Sequence, residues 1–379
     1  MRILAIETSC DETALAILSV SKGSFTLEGS VVASQTELHA QYGGVFPMMA
    51  KREHSKNIVP LLHTVLKKAK LYKKGVAALP EQKLAKLLER EQELLPLFIE
   101  ELSQIKKPKI DRIVVTVGPG LAPALWVGIN FAKALSLAWD IPLVPVNHME
   151  GHILSIFPTG SKKKWNTKNL KLPALSLLVS GGHTELVLVK GIGKYKLIGQ
   201  TRDDAAGEAF DKIARMLALP YPGGPQVSRL AHEAREQDLM LETPLPRPMI
   251  HSKDFDFSFS GLKTSVLYLI QKLGTLDEET KMKIARDAED AIVEVLVAKT
   301  LRAAEKYKIG HIVVGGGVSA NTHLKKMLTD AARKKKISVI FPTKDLSTDN
   351  AVMIGIAGSF GKPAPLSSKK FVAQGNMSL

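Results

Sequence analysis

Leu175-Ser176-Leu177-Leu178-Val179-Ser180-Gly181-Gly182-His183-Thr184-Glu185-Leu186-Val187-Leu188-Val189 is an apolar run, a polar turn with two glycines, and an apolar return. Such a stretch reads as strand, turn and strand. Far upstream, Ile3 to Ile6 enters the turn Glu7-Thr8-Ser9-Cys10-Asp11-Glu12-Thr13 and returns from Ala14 to Val20, which is the same plan. Ser9 and Thr13 in one turn, like Ser180 and Thr184 in the other, place a hydroxyl at each end.

The correspondence continues in order. A third strand ends at Gln35-Thr36 in one half and at Gln200-Thr201 in the other, each leading toward a helix. Ile113-Val114-Val115 leads into Gly118-Pro119-Gly120, and Ile312-Val313-Val314 into Gly315-Gly316-Gly317. Each glycine turn opens a helical segment. Ile141 to Val146 then ends at Asn147-His148, while Ile337 to Phe341 runs on toward Asp345 and Asp349. This repeated β-β-β-α-β-α plan resembles the actin, sugar kinase and Hsp70 superfold. The fold class expected is therefore α/β, a duplicated actin-like (ASKHA, RNase H-like) two-lobed fold. The lobes expected are residues 1–147 and 148–379 around one cleft, with the last helix free to pack back on the first lobe. A length of 379 residues suits two cores.

Two segments interrupt the symmetry. Leu84, Leu87, Leu88, Leu95, Phe98, Leu102 and Ile105 recur at helical spacing amid charges, which predicts an inserted helical segment within about residues 68–108. Residues 161–171 form a Lys-rich loop carrying Trp165, a candidate for phosphate contact or else a solvated run.

Fifty-two Lys and Arg against 37 Asp and Glu leave a net charge of +15, which favours a polyanionic partner, nucleic acid first. One cysteine, Cys10, excludes an internal disulfide framework and fits a reducing compartment. No apolar run reaches membrane-spanning length, and the stretch from Met1 to Glu7 is too short and too soon polar for a signal peptide. A cytoplasmic protein without membrane attachment is expected.

His148-Met149-Glu150-Gly151-His152 offers two imidazoles at i and i+4, a spacing that suits a metal and equally suits two surface histidines. Glu150 would lie about 200° around a helix from each, poorly placed as the base of a metalloprotease. In the second half, Ser347-Thr348-Asp349-Asn350 could cap the following helix. Internal symmetry would instead set Asp349 opposite His148 and His152 across the cleft. Two histidines and one carboxylate leave coordination positions open and suit iron(II) or zinc.

Ser180-Gly181-Gly182 follows a buried strand and frees main-chain N–H groups for an anion or acyl oxygen. Gly315-Gly316-Gly317-Val318-Ser319-Ala320-Asn321 joins strand to helix as phosphate sites do. No Walker lysine motif or dinucleotide fingerprint is present. Within Asp203-Asp204-Ala205-Ala206-Gly207-Glu208-Ala209-Phe210-Asp211-Lys212 the acids could simply complement a helix dipole, but Asp211 is also a candidate acceptor for a ribose hydroxyl. Cys10 has no identifiable base and is not assigned as a nucleophile.

Together these motifs, with His39-Ala40-Gln41-Tyr42-Gly43-Gly44-Val45, Gly118-Pro119-Gly120-Leu121 and Tyr221-Pro222-Gly223-Gly224-Pro225, make the sequence resemble the TsaD family of tRNA threonylcarbamoyltransferases, relatives of the KEOPS catalytic subunit. The resemblance implies iron or zinc on His148, His152 and Asp349. It also implies that Leu178, Val179, Ser180, Gly181, Gly182, Asp211, Gly224, Ser228 and Asn321 hold threonylcarbamoyl-adenylate. The implied reaction is attack by the exocyclic amine of the tRNA adenosine beside the anticodon, with release of AMP and with TsaB-like and TsaE-like protein partners. Met48, after Pro47, stands where the family is expected to carry a glutamate. The rival readings are an actin-fold ATPase or kinase, a metal-dependent peptidase, and a non-catalytic scaffold.

Overall fold

A computed structural model describes residues 1–156, 159–161, 163–166 and 171–379. The chain divides into two compact units, Met1–Leu170 with Asp349–Leu379, and Lys171–Thr348.

The first unit opens with β1 (Arg2–Glu7), β2 (Glu12–Ser21) and β3 (Ser24–Ser34), followed by α1 (Thr36–Ala40) and α2 (Pro47–Lys68). The insertion supplies α3 (Glu81–Leu87) and α4 (Leu94–Ser103), and the unit continues through β4 (Arg112–Gly118), α5 (Ala122–Trp139), β5 (Leu143–Asn147) and α6 (His148–Ile156). Two short strands, β6 (Thr159–Ser161) and β7 (Lys164–Asn166), extend the sheet edge. β1 is antiparallel to β2 and parallel to β4, which is parallel to β5. After its first residue, every position of β1 and of β4 is buried. That is the continuous apolar reading of a strand covered on both faces.

The second unit contains β8 (Ala174–Val179), β9 (Thr184–Gly191), β10 (Lys194–Gln200), α7 (Ala206–Met216), α8 (Gly223–Glu236), α9 (Ser260–Leu273) and α10 (Glu278–Lys306). It closes with β11 (His311–Gly315), α11 (Thr322–Lys334), β12 (Ser338–Ile340) and α12 (Lys344–Ser347). Its sheet order is β10-β9-β8-β11-β12, and the first unit repeats it as β3-β2-β1-β4-β5 with β7 and β6 added beyond β3. The duplicated plan read from the sequence is therefore present strand for strand.

The helical insertion expected is present as two amphipathic helices, α3 and α4. Leu84, Leu88, Leu94, Phe98, Leu102 and Ile105 are buried, and the Phe98 ring meets Phe131 of α5 edge-on at 5.8 Å. Burying one such side chain stabilises by about 1.5–3 kcal/mol. The Lys-rich segment differs from the loop expected where it is described. Trp165 pairs with Phe25 across β3 and β7 and is buried, so it completes a sheet edge. Lys162 and residues 167–170 lie outside the described residues.

The last helix, α13 (Ala351–Phe360), belongs to the first unit, as does α6, which the repeat had assigned to the second lobe. Chemistry explains the return of α13. Eight of its ten residues are buried, and a Cβ on Gly355 or Gly358 would come within 2.2 Å of Leu18 or 2.6 Å of Val114. The two glycines let the helix backbone lie flush on β2 and β4.

Candidate metal centre and ligand cradle

The metal site expected across a cleft is instead built within the first unit, because Asp349 returns to it with α13. Asn147 caps α6, its Oδ1 accepting from Met149 N at 2.8 Å, and so starts the helix at His148. One turn later comes His152. Between them Gly151 presents no side chain, and a Cβ there would sit 3.0 Å from Ile354 of α13. This close approach carries the histidines to Asp349, two residues before α13. Asn350, not Asp349, caps that helix, its Oδ1 accepting from Met353 N at 2.9 Å. The capping role weighed for Asp349 is filled by its neighbour.

Asp349 Oδ1 lies 3.1 Å from His152 Nε2 and 3.4 Å from His148 Nε2. The three ligand atoms are mutually within 4.8 Å, and both histidines are buried. Bonds of about 2.0–2.2 Å, as iron or zinc makes to nitrogen and oxygen, place neighbouring ligands roughly 3.0–3.5 Å apart. The donor spacing around Asp349 therefore fits a single divalent ion. His152 Nδ1 is buried and has no hydrogen-bond partner among the described residues.

Glu7 is a residue that sequence reasoning left without a role. Fully buried at the end of β1, it presents Oε2 to His148 Nδ1 at 3.1 Å and accepts from Thr116 Oγ1 at 2.5 Å. Ser9 Oγ is 3.2 Å from the same imidazole nitrogen. A carboxylate on Nδ1 holds the proton there and leaves the Nε2 lone pair for a metal. Burial pushes the His148 pKa down, but the charges of Asp349 and Glu7 outweigh it and hold it well above its ordinary value. Burial likewise raises Asp349, and His148, with His152, overcomes this and holds it well below the carboxylate range. Metal binding must displace the His148 proton. Burial, then the charges of Asp11, Asp349 and Glu12, raise the Cys10 thiol well above its usual range, which agrees with leaving it out of the chemistry.

The residues proposed for the adenylate lie in the second unit. Leu178 and Val179 are fully buried, so they can offer a ligand only main chain. After them Ser180 N donates to His183 O at 2.8 Å and Ser180 Oγ accepts from His183 N at 3.1 Å, which closes the turn. Open space surrounds a Cβ built on Gly181 or Gly182. Backbone presses on the turn from behind: a Cβ on Gly207 would be 2.6 Å from Ser180 O, and one on Gly316, at φ +85°, 2.4 Å from Val179 O. The cradle is thus open on one side and packed against glycines on the other.

Asp211 Oδ1 accepts from Gly223 N at 2.7 Å at the start of α8, and burial raises its pKa despite that bond. Ser228 and Asn321 are brought together by Glu289 of α10, a buried carboxylate that sequence reasoning also missed. Its Oε1 accepts from Ser228 Oγ at 2.6 Å and from Asn321 Nδ2 at 2.7 Å. Its Oε2 accepts from Arg235 Nη1 at 2.6 Å. Asn321 also caps α11 through Leu324 N at 2.7 Å. Gly224 follows Gly223 in the first turn of α8, while Met48, at the start of α2 in the first unit, is 67% exposed. Among the described residues, no helix is long and apolar enough to cross a membrane.

Comparison with known proteins bears on family and fold. Residues 26–79 and 89–356 match the TsaD family profile, tRNA N6-adenosine threonylcarbamoyltransferase. The unmatched gap falls on α3 of the insertion. The tRNA N6-adenosine threonylcarbamoyltransferase of Chromobacterium violaceum is 42% identical over 96% of this chain and 95% of its own. That of Paraburkholderia xenovorans is 43% identical over 95% and 92%. Among solved structures, HypF of T. kodakarensis superposes with a TM-score of 0.52 at 14% identity over 94% of this chain and 47% of its own, a likeness of fold alone. The actin-like plan is thereby supported independently of sequence. A profile match over most of the chain, with 42–43% identity over nearly its full length, shows that the chain belongs to the tRNA N6-adenosine threonylcarbamoyltransferase family.

Proposed function

We propose that the chain moves the threonylcarbamoyl group of threonylcarbamoyl-adenylate onto the exocyclic amine of the adenosine beside the anticodon, in tRNAs that read codons starting with A. A bond forms between that nitrogen and the carbamoyl carbon, the bond from this carbon to the phosphate oxygen breaks, the amine gives up one proton, and AMP leaves. The observation that carries the reading is the convergence of His148, His152 and Asp349 in a member of this family. Two imidazoles and one carboxylate suit iron(II) or zinc. Bound there, the ion would supply Lewis acidity toward an acyl oxygen.

Glu7 holds the His148 tautomer that such an ion needs. In the Ser180-Gly181-Gly182 cradle, the Ser180 N–H closes the turn on His183 O, and the amides of Gly181 and Gly182 serve as donors to developing negative charge, for which preorganised N–H groups are effective. Asp211 accepts from the ribose, and Gly224, Ser228, Asn321 and the main chain of Leu178 and Val179 complete the adenylate site. Glu289 acts as the support that fixes Ser228 and Asn321. TsaB-like and TsaE-like partners and a cytoplasmic setting accompany this reading. A peptidase is not favoured, because Glu150 is two residues from each histidine on α6 and so is turned away from their shared face.

The test is nucleoside mass spectrometry of tRNA incubated with the chain, its partners, an adenylate-forming synthase, threonine, bicarbonate and ATP. Threonylcarbamoyladenosine should appear with the parent and fall to background with His148→Ala. Steady ATP hydrolysis without tRNA modification, unaffected by His148→Ala, would replace this reading with an actin-fold ATPase.

A further inference from the structure

Residues 301–340 hold nine Lys and Arg against two acids, Glu305 and Asp330, an excess of seven out of the fifteen for the whole chain. The fold of the second unit gathers much of this charge at one edge. β8, β11 and β12 run parallel, so the segments entering them arrive at the same end of the sheet and bring Lys171, Lys308 and Lys336 there. Adjacency of two of these turns is direct, since Ser338 N donates to Gly310 O at 3.0 Å. α10 and α11 also end at this edge.

Basic residues in a last helical turn complement the dipole, which accounts for Arg333 and Lys334. Lys308 and Lys336 lie beyond the helix ends, in left-handed conformation at φ +55° and +58°. Lys335 is paired with Glu305, and Arg333 lies 3.4 Å from Asp330. Lys308, Lys334 and Lys336 are exposed and have no ion-pair partner among the described residues. Between α11 and β12 is a depression of about 430 Å³ lined by Thr329, Arg333, Lys336, Ile337, Ser338 and Val339, two hydroxyls and two cations over an apolar floor. His311, whose Nδ1 is 2.6 Å from Ser338 Oγ, is held below its ordinary pKa by burial and then by the Lys171 charge. The local potential is positive.

We infer that this edge is a phosphate-binding surface for the tRNA backbone, distinct from the adenylate cradle. The inference rests on the activity proposed above and adds to it the surface that holds the macromolecule. Ser180 begins at the opposite end of β8, whose six residues at about 3.3 Å each separate the two places by roughly 20 Å. A mononucleotide or the acyl-adenylate is too short to engage both. A folded RNA is not, and unpaired lysines around a hydroxyl-lined hollow match phosphate, whose neutralisation releases counterions.

The test measures binding of the full chain to an unmodified transcript of a tRNA reading codons that start with A, across a series of salt concentrations. The variant combines Lys308→Asn, Lys334→Gln and Lys336→Asn, because asparagine tolerates the left-handed angles at 308 and 336. Its melting temperature should match the parent's. The slope of log affinity against log salt should flatten by about two to three units, at roughly 0.7–0.9 per lost phosphate contact. A charge-matched control with the exposed Lys83→Gln, Lys86→Gln and Lys106→Gln in the first unit should change the slope by less than about one unit. Equal slopes for the two triple variants would overturn the surface, including the case in which these lysines serve an acidic protein. If the parent modifies tRNA and the variant slope is unchanged, the surface is wrong while the activity stands. A parent that neither binds nor modifies tRNA refutes both.

Discussion

Replacing Glu7 by Gln probes the metal centre without touching a ligand. Glu7 Oε2 faces His148 Nδ1 at 3.1 Å, and Oε1 accepts the Ser9 N–H. Glutamine fills the same space but must put its NH₂ at one of the two oxygen positions. Facing Ser9, it would set two donors against each other. Facing His148, it donates to Nδ1, moves the imidazole proton to Nε2 and blocks the nitrogen that lies 3.4 Å from Asp349. Loss of such an outer carboxylate lowers metal affinity about 10–100-fold, or about 1.4–2.7 kcal/mol. Chelator-competition titration of the metal-free protein with zinc at neutral pH, beside parent and His148→Ala, measures this. Glu7→Gln should fall between the two. Parent-like affinity in Glu7→Gln, with His148→Ala weakened, would refute the tautomer argument, and equal affinity in all three would remove the site.

The remaining predictions concern pH, the cradle and a buried acid. Zinc affinity of the parent should rise with pH, since His148 holds its proton in the metal-free protein, and a pH-independent affinity between pH 6 and about 8 would contradict this. Gly181→Ala meets nothing within 4 Å and its φ lies outside the left-handed region, so it should melt with the parent. Transfer should nevertheless slow about 10²–10³-fold if these amides serve the acyl-adenylate. Gly207→Ala instead drives a Cβ to 2.6 Å from Ser180 O and should destabilise by about 1–3 kcal/mol in thermal unfolding. Glu91 is buried, accepts from Asn130 Nδ2 at 2.8 Å, and leaves Oε1 without a hydrogen bond, with Lys51 Nζ at 3.8 Å. Burial raises its pKa, so the folded state keeps a proton that the unfolded state releases, and stability is lost as pH rises through the folded value. Relative to Glu91→Gln, the parent should lose stability between acidic and neutral pH, read from denaturant midpoints; parallel pH profiles would sink the idea.

The repeat was legible because its signal is local. Strand, turn and strand can be read from Leu175 to Val189 without knowing any partner, and the second copy from Ile3 to Val20 confirms the period. The histidine pair was legible for the same reason, since four residues make one helical turn. Glu7 and Glu289 were not, because each earns its role from residues more than thirty positions away in sequence, His148 in one case and Asn321 and Ser228 in the other. Asp349 and Asn350 are neighbours of similar capping chemistry, and only the backbone direction decides which caps α13. The expectation of a site shared by two halves followed from treating the repeat as two self-contained pieces. The packing of Gly355 and Gly358 against Leu18 and Val114 overrules it, and no periodicity records which sheet an all-apolar helix will choose.

That return has a consequence for the order of events during synthesis. The chain leaves the first unit at Leu170 and rejoins it at Asp349, so the second unit is an excursion within the first. On the ribosome, all of Lys171–Thr348 is made before the first unit receives its last helix and the Asp349 carboxylate of the candidate metal cluster. The second unit is contiguous and can fold as it emerges. The first unit must wait, with Leu18 and Val114 still uncovered by α13 and His148 and His152 lacking their carboxylate. Completion of the His148, His152 and Asp349 cluster is thereby tied to late synthesis: a nascent chain stalled before Asp349 is a partly folded protein that cannot bring the three side chains together.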